Sequence, residues 1–153
     1  MPDDEQRDPP EVLVGMPSWL LARAAREGHR LVDAALAGDG LRRYDFSVLT
    51  AVAEGGPPSQ TDLVRRLGID ASDVAAVVAA LEARGWVVRR RDEADRRRKV
   101  VALTPEGRVM TRRLVRRVEV AQDTLLAGLE ADERRTLVEL LRRVGGRPTD
   151  QAG

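Results

Sequence analysis

The stretch GWVVRRRDEADRRRKVVALTPEG, residues 85–107, decides the fold of this chain. Two β-prone runs, Trp86–Val88 and Val100–Leu103, flank a segment dense in arginine and aspartate. Gly85 is typical of a helix end, and Thr104-Pro105 is typical of a helix start. The stretch therefore predicts a β-hairpin between two helices. Its strongly basic tip has the shape and charge to lie along or enter a DNA groove, as a wing does.

Positive charge is concentrated at this hairpin. Arg84 to Lys99 contains eight Arg or Lys and three Asp or Glu, a net charge of +5, while the whole chain carries +1 and the remainder therefore −4. Such gathering is typical of a phosphate-binding surface. A compositional preference for arginine explains why Arg replaces Lys, but not why the charge gathers at one tip.

Composition excludes several classes of protein. A length of 153 residues with 42% hydrophobic residues suits one domain with oligomerisation arms. The absence of cysteine excludes disulfides, thiol redox sensing and thiolate zinc sites. No apolar run approaches the ~20 residues of a membrane span, and the acidic, proline-rich start does not resemble a signal peptide. We expect a cytoplasmic protein with no membrane partner and with disordered tails at 1–10 and 146–153.

Helices are predicted on both sides of the hairpin, in the order α-α-α-α-β-β-α-α. Before the hairpin, Ser18 caps a helix that ends at Ala37, and Asp45–Glu54 forms a second helix. Ser59 caps a third helix that ends at Leu67, and Asp70 caps a fourth over 71–83. After the hairpin, Thr104 starts a fifth helix that reaches Gly128, and Ala131–Val144 forms the sixth. The predicted fold class is mainly α with a small β-hairpin wing (α+β), a winged helix-turn-helix with dimerisation helices at both ends.

The helices at the two ends have apolar stripes that need a partner. We assign 11–40 and 105–145 to dimerisation and 41–104 to the winged helix-turn-helix. The side chains expected at the interface of a homodimer are Leu20, Leu31, Leu125, Leu137, Leu140, Leu141 and Val144.

The chain resembles the MarR family of bacterial winged-helix regulators over nearly its whole length. The matching segments are QTDLVRRLGID at 60–70, LEARGWV at 81–87 and the wing from Asp92 to Arg98, followed by ALTPEG at 102–107. The pattern D-x-x-D-R-R followed by L-T-x-x-G is specific at this spacing. The resemblance implies an obligate homodimer that binds palindromic operators, usually as a repressor released by a small ligand.

The predicted recognition helix, 71–83, differs from the commoner pattern of the family, which has Thr or Arg at its outward positions. Here those positions hold serine, aspartate and alanine. Ser72 can hydrogen-bond to any base pair, Ala76 can touch a thymine methyl, and Asp73 either accepts from cytosine N4 or merely caps the helix. We therefore expect little direct base readout and a reliance on the wing and on DNA shape.

A second group of predicted contacts lies at the N-terminus of the preceding helix. Ser59, Gln60 and Thr61 present backbone N–H groups that favour phosphate, and Arg65 adds charge. Alternatively, Ser59 only caps the helix.

In the wing, the resemblance places Arg97 at the tip, where it enters the minor groove. A narrow A·T-rich minor groove concentrates negative potential and attracts arginine. Asp95 is expected to pair with a nearby arginine, and Arg96 and Arg98 to face phosphates or acidic partners. The alternative is a merely solvated charged turn.

The resemblance places effectors in the crevice between the dimerisation helices and the winged helix. Candidate residues there are Trp19, Arg23, Arg26, His29, Arg30, Tyr44 and Phe46. Arg26 and Arg30 share a helix face, and arginines beside aromatic rings suit an aromatic or carboxylate ligand. The alternatives are a solvated face or salt bridges to a partner subunit, and for His29 a purely structural role in place of pH sensing.

No signature of an enzyme, a metal site or a cofactor site is present. One histidine and no cysteine exclude most nucleophile–base pairs, and the acidic residues lie among arginines as ion pairs do. The sequence therefore predicts a homodimeric DNA-binding repressor that responds to a small molecule. The alternative is a winged-helix dimer that acts as a ligand-binding or protein-interaction module without specific DNA readout.

Overall fold

The computed structural model describes residues 9–146, and within them the chain forms seven helices and one β-hairpin. The helices are α1 (Glu11–Val14), α2 (Pro17–Ala37), α3 (Arg43–Ala53), α4 (Gln60–Leu67), α5 (Ala71–Ala83), α6 (Pro105–Leu125) and α7 (Ala131–Gly145), and the strands are β1 (Val87–Arg91) and β2 (Lys99–Leu103). The strands pair antiparallel from Val87 opposite Leu103 to Arg91 opposite Lys99.

The core lies where α3, α4 and α5 meet the hairpin and α6. Leu49, Leu63 and Leu81, one from each of the three helices, are fully buried, as are Val101 of β2 and Leu114 of α6. The backbone of β2 is also tied to the start of α4. Helices α3, α4 and α5 and the apolar strand β2 thus form one common core. This arrangement confirms the predicted winged helix-turn-helix.

The long helices α2 and α6 pack against each other beside this core. A Cβ at Gly28 would lie 3.2 Å from Cδ2 of Leu125, so the small residue lets the helices approach closely. Helix α7 follows a capping box in which the Glu130 N–H donates to Glu133, 2.8 Å. No residue of α7 is buried in the described protomer.

A tight junction connects the wing to α6. Thr104 caps α6 by accepting from the Gly107 N–H at 3.0 Å, and its hydroxyl donates to the Gly85 carbonyl at 2.6 Å. The Thr104 N–H donates to the Trp86 carbonyl at 3.0 Å. A Cβ at Gly107 would lie 1.9 Å from the same carbonyl oxygen, so only glycine fits there. The L-T-x-x-G pattern thus has a steric cause in this chain.

Several predicted helix starts need correction. The prediction that Ser18 caps a helix is wrong: α2 begins at Pro17 after Met16, because proline's fixed φ and missing N–H suit the first turn. Asp70 occupies the N-cap of α5, but its side chain makes no capping hydrogen bond. Helix α3 starts at Arg43, two residues early, because the Asp45 carboxylate accepts from the Arg42 N–H at 2.7 Å.

Other boundaries also shift. The short helix α1 was not predicted, and α6 ends at Leu125 rather than Gly128, since the chain turns at Leu126–Leu129. Both strands have five residues, so the tip is confined to 92–98 and the arginines at 89–91 belong to β1.

The predicted tails lie outside the described residues, except for residues 9, 10 and 146. Among residues 9–146, every helix is too short or too polar to cross a membrane.

We predict that Gly107→Ala destabilises the protein strongly. The new methyl group must displace backbone atoms of Trp86 rather than a flexible side chain, and overpacking of this kind costs about 1–3 kcal/mol or more. Thermal unfolding followed by circular dichroism should show a fall in Tm of several degrees. Gly38→Ala is the matched control, because a Cβ there meets nothing within 4 Å. Equal melting temperatures for the two variants would contradict the steric account.

Candidate nucleic-acid interface

The N-terminus of α4 is closed by a reciprocal capping box. The Asp62 N–H donates to Ser59 Oγ at 3.1 Å, and the Ser59 N–H and hydroxyl donate to Asp62 Oδ2 at 2.9 and 2.7 Å. The capping role predicted for Ser59 is therefore confirmed. Gln60 is half-buried, while Thr61 and Arg65 are exposed on the following turn.

Asp62 has the most strongly perturbed carboxylate in the described part of the chain. Hydrogen bonds from the Ser59 backbone and hydroxyl, followed by the Arg98 guanidinium, lower the pKa of Asp62 from 3.8 to about 2. Burial opposes this effect. The carboxylate therefore stays charged although it lies beside the turn expected to face phosphate.

The recognition helix α5 presents small side chains to solvent. Ser72, Asp73 and Ala76 are all exposed, and Val74, Val78 and Leu81 form the buried stripe on the opposite side, with Val77 half-buried. Asp73 makes no capping hydrogen bond. Asp73 therefore forms no capping box with Asp70, and it lies exposed in the first turn of α5, where the helix dipole favours a carboxylate.

The wing tip is shaped by two aspartates that bind backbone N–H groups. Asp92 Oδ1 accepts from the Ala94 N–H, and Asp95 Oδ1 from the Arg97 N–H, both at 3.0 Å. Asp95 was expected to hold the tip by pairing with an arginine; it holds the tip through the backbone instead. The guanidinium of Arg91 closes the turn by donating to the Arg96 carbonyl at 2.7 Å.

The wing arginines divide into two groups. Arg89 is bound by Glu82 of α5 at 2.6 Å, Arg90 by Glu93 at 2.9 Å, and Arg98 by two carboxylates. For Arg98 the structure thus shows the acidic partners that the sequence left open. Arg96 and Arg97 are exposed, and neither has a carboxylate partner in residues 9–146. Most of the local charge is therefore used within the fold.

The seven candidate ligand residues do not share one environment in the protomer. On α2, Arg23 stacks over Trp19 at 5.5 Å from the ring centroid, and Arg30 is paired with Glu27 at 2.5 and 2.9 Å. Arg26 and His29 are exposed on the same helix. Phe46 packs against the core, whereas Tyr44 is half exposed and lines a cavity of about 350 Å³ beside the recognition helix.

One cluster was missed in the sequence. Arg84, at the end of α5, donates to the carbonyls of Asp39 (2.7 Å) and Gly40 (3.4 Å) and stacks on Trp86 at 5.0 Å. The Asp39 carboxylate is bound by Arg117 of α6. The α2–α3 turn is thus held from two sides. A basic residue at the C-cap of α5 was a weak local signal, but the Asp39 carbonyl that it binds lies 45 residues away.

Taken together, the exposed face of α5, the capped start of α4 and the rigid arginine tip define a DNA-binding protein of the winged helix-turn-helix class. Comparisons with known proteins agree. The sequence profile of the MarR family matches residues 39–98. The transcriptional regulator YdgJ of Bacillus subtilis is 30% identical over 144 residues, 87% of this chain and 88% of YdgJ. The chain belongs to the MarR family and is a DNA-binding transcriptional regulator, not an enzyme.

Solved structures of CouR from Rhodococcus jostii are similar over almost the whole chain. CouR bound to p-coumaroyl-CoA gives a TM-score of 0.82 at 28% identity, covering 94% of this chain and 99% of CouR. The repressor CouR bound to a 23-mer DNA duplex gives 0.80 at 29% identity, covering 89% and 96%.

We predict a pH-dependent contribution of Asp62 to stability. Because its pKa in the folded protein lies below the ordinary 3.8, the contribution is present above 3.8 and is lost as the pH falls toward about 2. Melting curves across this range should show a steeper acid loss for the natural protein than for Asp62→Asn. Asp33→Asn, which removes a carboxylate from an exposed pair with Arg43, should keep the natural profile. An unchanged acid profile in Asp62→Asn would contradict the assignment.

Proposed function

We propose that the protein is a homodimeric repressor that binds a pseudo-palindromic operator and is released by a small ligand. The observation that carries this proposal is the wing tip, where Arg96 and Arg97 are exposed and without carboxylate partners in residues 9–146, on a backbone fixed by Asp95. Because hydrogen bonds already hold the backbone of the tip, the ordering cost of entering a groove falls mainly on the arginine side chains.

The proposed contacts fall into three sets. Ser59, Gln60, Thr61 and Arg65 meet phosphates at the start of α4. Ser72, Asp73 and Ala76 face base edges in the major groove. In the wing, Arg96 and Arg97 contact DNA, with Arg97 in the minor groove, and Arg98 lies beside them in its pairs with Asp62 and Asp92. Phosphate contacts position a protein on DNA, while base contacts and DNA shape give specificity. Because α5 offers only short side chains, we assign most of the specificity to DNA shape at the wing.

The proposed dimer interface is made by the terminal helices of segments 11–40 and 105–145. Leu20, Leu140 and Leu141 are 44%, 48% and 41% exposed, and Val144 is 71% exposed. The half-buried Leu31, Leu125 and Leu137 complete the surface. No residue of α7 is fully buried in the described protomer, and a second copy would cover its apolar face. Two-fold symmetry places the recognition helices of segments 41–104 about 34–36 Å apart, on a pseudo-palindrome.

The proposed ligand is an aromatic or carboxylate compound that binds near α2. The Trp19–Arg23 stack offers a ring and a cation, and Arg26 and His29 are exposed further along the helix. Arg30 joins them when a ligand carboxylate replaces Glu27. Tyr44 and Phe46 lie at the start of α3, toward the winged helix. CouR was solved with an aromatic acyl thioester, p-coumaroyl-CoA, which supports a ligand of this type.

The α2–α3 turn offers a physical route from ligand to DNA. Arg84 joins this turn to the recognition helix, and Arg117 joins it to α6. A ligand that tilts α2 would therefore move α5. At equilibrium the ligand and the DNA must weaken each other's binding by the same factor.

A second candidate is a winged-helix dimer that binds ligands or proteins without specific DNA readout. The alanine-rich outward face of α5, with Ala71, Ala75, Ala76 and Ala79 all exposed, favours it. Binding of the full chain to its own upstream DNA and to random duplex, across a salt series, separates the two. We expect tighter binding to the upstream DNA and a steep salt dependence on both. Equal affinities for upstream, operator-containing and random duplexes would refute the specific repressor.

We predict that Arg97→Ala weakens operator binding by about tenfold or more without unfolding the dimer, since arginine in a narrow minor groove is a main source of shape readout. Fluorescence anisotropy with labelled operator measures the loss. Arg43→Ala, which also removes one surface cation, is the matched control and should bind almost normally. Full-strength binding by Arg97→Ala would refute the tip contact.

We predict that Leu140→Glu converts the dimer into monomers and abolishes tight binding to the full palindrome. A buried, unpaired carboxylate costs several kcal/mol at an interface. Analytical ultracentrifugation measures the mass, and Glu139→Gln, a change on the neighbouring position of α7, should remain dimeric. A dimeric Leu140→Glu protein would show that α7 is placed wrongly.

A further inference from the structure

Arg98 connects the wing to α4. Its Nη2 donates to Asp62 Oδ2 in the first turn of α4, and its Nη1 donates to Asp92 Oδ2 in the wing at 3.2 Å. The side chains of Asp62 and Asp92 are 28% and 23% exposed, so both carboxylates are partly shielded from water. The guanidinium thus bridges two elements that belong to different parts of the proposed DNA surface.

Apart from Arg98, the side-chain contact that leaves the hairpin lies in the middle of β1, where Arg89 binds Glu82 of α5, and not at the tip. Among the described residues, the side-chain hydrogen bonds of Arg90, Arg91 and Asp95 all end on residues of the hairpin itself. The middle of β2 is fixed separately, because the Val101 N–H donates to the Pro58 carbonyl at 2.8 Å. Without Arg98, the wing tip (residues 92–98) would project from the domain with no side-chain hydrogen bond to α4.

We propose that Arg98 is a positioning residue: the Asp62–Arg98–Asp92 bridge holds the wing tip at a fixed place relative to α4, so that Arg97 reaches the minor groove at a set distance from the recognition helix. This inference rests on the proposed contact of Arg97 with DNA. It differs from the prediction that Arg98 itself contacts phosphate.

The charges at the bridge favour a positioning role. The guanidinium keeps further N–H donors, but a phosphate that drew Arg98 out of the bridge would break two charge-assisted hydrogen bonds, which are stronger than neutral ones. Release of Arg98 would also leave Asp62 unneutralised beside the phosphate-facing turn. The bridge therefore both braces the wing and shields DNA from an acidic group that the α4 cap requires.

The test compares Asp62→Asn, Arg98→Ala and the double variant on operator DNA. Asparagine keeps an acceptor for the Ser59 N–H, so the α4 cap persists while the ion pair is lost. If Arg98 positions the wing, each single variant weakens binding about five- to tenfold, and the double variant is no weaker than the weaker single one, as expected for residues that act as a unit. If Arg98 binds phosphate, Asp62→Asn instead strengthens binding, because an acid is removed and the arginine is released. Tighter binding by Asp62→Asn would overturn the proposal.

A second cycle connects the bridge to Arg97. If the bridge positions Arg97, the Arg97→Ala change costs much less affinity in the Arg98→Ala background than in the natural protein. Additive losses would overturn the positioning role and leave the Arg97 contact intact. An Arg97→Ala protein with natural affinity would refute both the contact and the inference.

Three controls protect the interpretation. Glu54→Gln removes a carboxylate paired with Arg66 at 3.9 Å in the same module and should change affinity less than twofold. Arg98→Lys keeps the charge but not the two-pronged guanidinium, so it should resemble Arg98→Ala; natural affinity in this variant would indicate a simple charge contact and overturn the proposal. Melting temperatures establish that each variant is folded, and the Arg98 variants retain the α4 cap if Asp62→Asn proves unstable.

Discussion

The contact between Gly107 and the Trp86 carbonyl fixes the direction in which α6 leaves the wing, and much of the structure depends on it. Because no side chain fits at 107, the first turn of α6 lies directly on the backbone that enters β1. Thr104 locks the same place with a cap and two further hydrogen bonds. The base of the hairpin, the end of α5 and the long helix α6 are therefore joined at one tightly packed point.

Charged side chains of the wing stabilise its fold as well as forming its exposed basic surface. A net charge of +5 between Arg84 and Lys99 suggests a uniformly cationic tip, but Arg89, Arg90 and Arg98 are bound to carboxylates. The carboxylates of the wing thus orient guanidinium groups and accept hydrogen bonds from backbone N–H groups in its turn. The cations left for a polyanion are few, and they lie on a stiff tip, which suits recognition by DNA shape.

The sequence predicted most of the architecture because its signals are local. Helix and strand periodicity, the Ser59 cap, the Thr104-Pro105 start and the buried stripe of α5 depend on residues within a few positions of one another. The same reliance on local residue type explains the errors at Ser18 and Asp70. Ser18 lies inside α2, which begins at Pro17, and Asp70 occupies the N-cap of α5 without a capping hydrogen bond.

The sequence by itself therefore determined the winged-helix class, the order of its main elements and the basic tip, since each is encoded in short-range patterning and composition. Only the tertiary structure decided which charges remain available. The Asp62–Arg98 bridge spans 36 positions and the Arg117–Asp39 pair spans 78, so their formation depends on packing of the whole core rather than on any local pattern. Packing of the core therefore determines which arginines pair with carboxylates and hold the wing, and which remain exposed at its tip.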